Sequence, residues 1–268
     1  MERSRLLQCL AADYMRLREV AGAGLTAKVP SCPGWTVADL VRHVGQVYLH
    51  KAEVLRTGAW PEQWPPPEIA TENPIALLDR GYGAVTHEFS RRGDADHALT
   101  WHDPDQTVKF WIRRMAQESV IHRLDAELAH HTESAPIPPD LARDGIDEVL
   151  RLFLSYGSHT WQEDFAPALS KATGYDIRIQ AAGDPAVITD AWLIRTGSEG
   201  VSVTSASPNR TIADSQPDAT VTGPPAEILR WLWARESNPT TDVHQPIRVE
   251  GNEEAITELR SLLTAGTQ

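Results

Sequence analysis

The stretch RMAQESVIHRLDAELAHH, residues 114–131, holds Glu118, His122 and Asp125 at helical spacing. A helix turns roughly 100° per residue, so these side chains fall within about 60° of one another. Trp111, Met115, Ile121, Leu128 and Ala129 share that side, which sets three polar groups inside an apolar face. Arg113, Ser119, Arg123, Glu127 and His130 take the opposite arc and read as the solvated face. An unpaired buried carboxylate costs several kcal/mol, so the polar groups need partners: one another, a cation from another helix, or a metal ion. A Glu and a His at i, i+4 project from successive turns and can converge on one ion, as in helical bundles that carry metal sites. The same spacing also suits a salt bridge or a hydrogen-bonded core pair, and spacing alone does not choose.

Further ligands would come from the segment around residues 37–57. His43 sits at the border of an apolar face formed by Val37, Leu40, Val41, Val44, Val47 and Tyr48, and His50, one heptad on, occupies nearly the same stripe. Periodicity leaves both open. The two cysteines, Cys9 and Cys32, allow at most one disulfide, and with no C-x-x-C pair a metal must be held by His and carboxylate. Cys32 precedes Pro33, Gly34 and Trp35; with no base in its neighbourhood, the motif reads as a turn and not as a nucleophile.

Several elements must position these residues. Apolar residues at helical spacing, from Leu6 to Val20, predict a first helix over residues 3–21, ended by AGAG. Thr36 and Asp39 form a capping-box pattern that starts a second helix running to about residue 57. AWPEQWPPPEIATENP cannot be helical, because proline lacks an amide donor and clashes with the preceding turn, so a long loop follows, with Trp60 and Trp64 either pinning it to the bundle or forming part of a lid. Asn73 and Pro74 cap a third helix over 74–91, a fourth spans 107–131, and a fifth spans 139–156. After about residue 158 the pattern turns mixed: YDIRIQAA, DAWLIRTG, GVSVTSA, DATVTG and PIRVEG read as strands, with helices in PPAEILRWLWARES and EEAITELRSLL. The division is therefore a helical bundle over 1–157 and a small α+β layer over 158–268.

The chain has 268 residues, 41% of them hydrophobic, 23% charged, and a net charge of −12, which fits a folded globular protein. The charge disfavours nucleic acid and anionic lipid partners, no apolar run is long enough to span a bilayer, and the charged N-terminus does not read as a signal peptide. A cytoplasmic location is the expectation.

VPSCPGWTVADLVRHVGQV, followed by RRMAQESVIHRLDAE, resembles the mycothiol-dependent maleylpyruvate isomerase family, a branch of the DinB-like four-helix bundles. DATVTGPPAEILRWLWAR and IRVEG are similar to that family's second domain, of sterol-carrier-like α+β fold, so the likeness covers nearly the whole chain. The resemblance implies that His43, Glu118 and His122 bind one divalent metal, normally zinc, and it selects His43 over His50 by the spacing from the GWT-x-x-DL start. Two His and one Glu leave the fourth position of a tetrahedral zinc open, as catalytic sites do. A thiol ionises on such a metal, so the implied chemistry is a bound thiolate of mycothiol adding to a small electrophile, in an isomerase or an S-transferase. Asp125 is the natural catalytic partner, placed to orient an imidazole or accept a substrate hydroxyl, with a salt bridge to a neighbouring arginine as the alternative. The resemblance also places Arg235 where it would bind a substrate carboxylate, against a surface role at a helix C-terminus. Two other classes remain open at this point: a non-catalytic metal-containing protein that binds or senses a small ligand, and a scaffold in which the polar triad is only a buried network.

Overall fold

The computed structural model describes residues 1–183, 188–206, 216–236 and 247–267. By contacts the chain divides into two units, Met1–Ala135 and Pro136–Gln268.

The first unit is built from α1 (Arg3–Ala21), α2 (Val37–Thr57), α3 (Pro74–Ser90) and α4 (Val108–His130). Each boundary has a local cause. The Thr36 hydroxyl accepts from the Asp39 amide while the Asp39 carboxylate accepts from the Thr36 amide, completing the capping box, and Gly58 closes α2 in the left-handed region at φ 71°. The Asn73 side chain accepts from the amides of Ile75 and Ala76, and Thr107 caps α4 through the Phe110 amide. Of the Pro-rich loop, only Pro67–Ile69 forms a turn of 3-10 helix.

Two glycines decide how α2 meets α3. A Cβ on Gly45 would lie 2.9 Å from the backbone of Leu77 and Leu78, and one on Gly81 would lie 2.5 Å from the Gly45 carbonyl oxygen. Backbone, unlike a side chain, has no rotamer to yield. Gly81→Ala is expected to push the helices apart and cost about 1–3 kcal/mol; a melting temperature equal to that of the wild type would show that the close approach carries no stability.

The arc of α4 expected to face solvent is buried, and this corrects the sequence reading. Ser119, Arg123 and Glu127 are buried. Arg123 Nε donates to Asp13 Oδ1 of α1 at 3.0 Å and Nη1 donates to Glu127 Oε2 at 2.8 Å, while Arg16 Nε reaches Glu127 Oε1 at 2.9 Å. The polar arc thus docks α4 on α1 through a shared ion network, in which each buried charge finds an opposite one. The face of α4 with Glu118 and His122 is the one that keeps some exposure, at 12% and 13% of the side chains.

The second unit opens with α5 (Pro139–Glu148), whose axis continues through a π-helical segment, Val149–Tyr156, into the short α6 (Gly157–Thr160). α5 packs on the later helix α8 (Pro225–Leu232), so contacts set the division ahead of the one expected after residue 157. A further helix, α7 (Gln162–Leu169), lies where no helix was expected and carries Pro167 inside it. The sheet has the order β3 (Ser202–Ala206), β2 (Ile188–Arg195), β1 (Asp176–Ala182), β4 (Ala219–Gly223), β5 (Arg248–Gly251). Only the β1–β4 pairing is parallel. Ile177, Ile179 and Ala181 alternate inward on β1, and Ala219 and Val221 do so on β4. α8 and α9 (Glu253–Thr267) both contact β1 and β4, α9 bringing Leu259, Leu262 and Leu263 to the core. The architecture is the expected one, a helical bundle followed by a small α+β unit. Among the described residues no helix is long and apolar enough to cross a membrane.

Candidate metal centre

α2 and α4 bring His43, Glu118 and His122 together within the first unit. His43 Nε2 and His122 Nε2 each lie 3.2 Å from the same oxygen, Glu118 Oε1. One ligand atom from each residue falls within 4.8 Å of the others. Two ligands about 2.0–2.1 Å from a tetrahedral zinc stand roughly 3.3 Å apart, a spacing that these 3.2 Å contacts match as well as they match hydrogen bonds. The imidazoles approach from different helices, with ring centroids 5.1 Å apart and an interplanar angle of 79°.

The surroundings favour ligation. Asp125 Oδ2 lies 2.9 Å from His122 Nδ1, and the Asp125 side chain is fully buried. A proton held on Nδ1 by that carboxylate leaves the lone pair of Nε2 directed at the cluster, the usual arrangement behind a metal-bound histidine. Asp125 is itself held from the turn before α2: Ser31 Oγ donates to Oδ1, and Cys32 Sγ sits 3.8 Å from Oδ2. Arg114 Nη2 pairs with the second oxygen of Glu118. Burial opposes ionisation of Glu118, yet His122 and Arg114 outweigh it and hold the carboxyl well below its usual range. Burial likewise acts to depress His122, but the Glu118 carboxylate, with Asp125, raises it to about 9.

Of the residues singled out in sequence, His43, Glu118, His122 and Asp125 form one cluster. His50 does not join it: its Nδ1 accepts from Lys51 Nζ at 3.1 Å and its ring meets Trp64 edge-on at 4.9 Å. Trp60 packs edge-on against Trp111 at 6.4 Å, which ties the Pro-rich loop to α4. Arg235 belongs to the second unit, where it is buried; its Nη1 donates to the Trp233 carbonyl at 2.6 Å. Sequence reasoning missed the contacts of Ser31 and Cys32 with Asp125, since a turn 94 residues away in sequence carries no periodic signal. It also missed Lys51. Cys9 and Cys32 are not joined in a disulfide.

A four-helix unit with a His/Glu/His cluster between two helices, followed by an α+β unit, defines a two-domain protein, a helical bundle ahead of a small α+β unit. The family model for the mycothiol maleylpyruvate isomerase N-terminal domain matches residues 7–127, and that for the C-terminal domain of the same family matches residues 140–256. The chain therefore belongs to the mycothiol-dependent maleylpyruvate isomerase family. Its fold is similar to the crystal structure of a mycothiol-dependent maleylpyruvate isomerase, at 17% identity and a TM-score of 0.55, over 92% of this chain and 96% of that one. A histidine-to-alanine mutant of a mycothiol-dependent maleylpyruvate isomerase is similar at 15% identity and a TM-score of 0.57, with the same coverage. No curated protein matches the chain.

Proposed function

We propose that this chain is a metal-dependent enzyme that uses mycothiol as its thiol cosubstrate on a small electrophile, as a cis–trans isomerase or an S-transferase, in the cytoplasm. The observation that carries the reading is the convergence of two imidazole Nε2 atoms on one carboxylate oxygen, 3.2 Å from each. His43, Glu118 and His122 would hold the ion, and the two-nitrogen, one-oxygen donor set fits zinc with one position left open. Bound there, zinc would supply the means to ionise a thiol at neutral pH.

The remaining work falls to the chain's own groups. Asp125 keeps the His122 proton on Nδ1, so that Nε2 stays a donor of electrons. Arg114 balances the Glu118 charge from beside the cluster. Arg235 is the candidate to meet a substrate carboxylate with its guanidinium. In the isomerase version the thiol sulfur adds to one carbon of an activated cis double bond, the new single bond rotates, and elimination returns the thiol with the trans product. In the transferase version the adduct leaves as the product, and thiol is consumed.

The test is turnover of an unsaturated oxo acid such as maleylpyruvate with mycothiol, before and after chelation and with zinc restored. Product formation that needs both thiol and metal is expected, and the balance of thiol consumed against product distinguishes the two versions; turnover indifferent to chelation would contradict the proposal. Asp125→Ala is expected to weaken zinc affinity about 10–100-fold while the fold persists. Affinity unchanged in a competition titration against a chromophoric chelator would remove the orienting role.

A further inference from the structure

The stripe of α2 that carries His43 continues for two more turns through Val47 to Lys51, and all three are part-exposed, whereas Val44, Tyr48 and Ala52 beside them are buried. A rise of 1.5 Å per residue puts Lys51 about 12 Å from His43 along the helix axis. Across from it lie Trp111 and Arg114 of α4, which precede Glu118 on that helix by the same two turns and one turn. Lys51 and the His43 cluster therefore stand two turns apart on the same seam between α2 and α4.

At its far end the lysine is built in but not neutralised. Lys51 Nζ stands 4.7 Å above the centroid of the Trp111 ring and 5.9 Å from that of Trp60, and it donates to His50 Nδ1 at 3.1 Å. Burial, with Lys51 nearby, depresses His50 to about 4, so the imidazole is neutral and the ammonium is the charge of this pair. Among the described residues no carboxylate forms an ion pair with Lys51. Ring faces return about 0.5–2 kcal/mol to such a cation, less than desolvation takes from it. In keeping with that deficit, burial lowers Lys51 to about 8 despite the Glu118 charge. The partner this ammonium lacks among the described residues is an anion.

We infer that Lys51, caged by Trp60, Trp111 and His50, is a carboxylate-binding residue for the electrophile. The inference rests on the proposed function for the identity of the ligand as the electrophile. The site itself requires only the lysine cage. On a chain of net charge −12, capture of an anion has to be local, because the overall field repels it.

The probe is cis,cis-muconate, a six-carbon unsaturated diacid, titrated calorimetrically into the full-length protein with and without zinc, with its dimethyl ester as the uncharged control. Saturable binding of the diacid is expected, weakened about 10-fold or more in Lys51→Met and kept within about 3-fold in Lys51→Arg, with the ester indifferent to both changes. Equal binding by wild type and Lys51→Met, or no binding by the wild type, overturns the inference. Should Lys51→Met fail to fold, amine acetylation of the wild type followed by mass spectrometry serves instead, since Lys28, Lys51, Lys109 and Lys171 are the only lysines. Muconate is expected to protect Lys51 alone; protection of none of the four contradicts the site. Lysine-dependent binding with no metal-dependent turnover would sink the proposed function and leave this site standing.

Discussion

Glu118→Gln and His122→Ala are each expected to lower zinc affinity at least about 100-fold and to abolish thiol-dependent turnover. Glu118 Oε1 is the atom on which both imidazoles converge, so an amide there removes the only anionic ligand and leaves Arg114 facing a neutral group. His122 supplies a nitrogen already oriented by Asp125. Because three ligands act as a unit, the double variant should lose little more than either single one. Competition with a chelator dye measures the affinity, and melting in the presence of chelator separates metal loss from unfolding. A variant that kept wild-type zinc affinity would remove its residue from the ligand set.

The metal-free protein should lose stability as pH rises from about 6.5 to about 8. The Glu118 carboxylate, with Asp125, raises His122 from its ordinary 6.5 to about 9 in the fold, so between those values the native state binds a proton that the unfolded chain has released. Stability from this group is complete below pH 6.5 and gone above 9, a loss of about 3 kcal/mol. Lys51 acts with the opposite sign and later: lowered to about 8 from 10.5, it makes the unfolded chain the better proton binder above pH 8, and stability recovers there. Zinc reverses the first effect, since it ligates only neutral His122 and its contribution grows as pH approaches 9. Urea unfolding at several pH values, with and without zinc and in His122→Gln, would show this. An identical pH dependence in His122→Gln would mean that the imidazole is not the group responsible.

The helices of the first unit were legible because their signals are local. Thr36 with Asp39, Asn73 with Pro74, and the breaker after Ala21 each fix a boundary through atoms a few residues apart. The same locality explains the failures. Arg123 and Glu127 look solvated on a helical wheel, and only Asp13 and Arg16, on a helix more than a hundred residues away in sequence, turn that arc into a buried interface. Pro167 argues against a helix, yet α7 forms around it, giving up the one internal hydrogen bond that an amide at that position would have donated.

The candidate site was half legible. Glu118, His122 and Asp125 announce themselves by spacing on one helix, and the structure keeps them together. His43 and His50 were indistinguishable by periodicity, the resemblance separated them, and the packing of α2 on α4 places His43 at the cluster and His50 beside Lys51. Ser31, Cys32 and Lys51 had no pattern to betray them, because their roles come from where a turn folds back and from which rings surround an ammonium.

The account stands on the His43, Glu118 and His122 cluster being a metal centre. The most direct test is metal content by mass spectrometry of protein purified without added metal, beside that of His43→Ala. About one zinc per chain, absent from the variant, is the predicted result. Wild-type protein that carries no metal, and takes up none when zinc is supplied, would make the cluster a buried hydrogen-bonded network and would contradict the account.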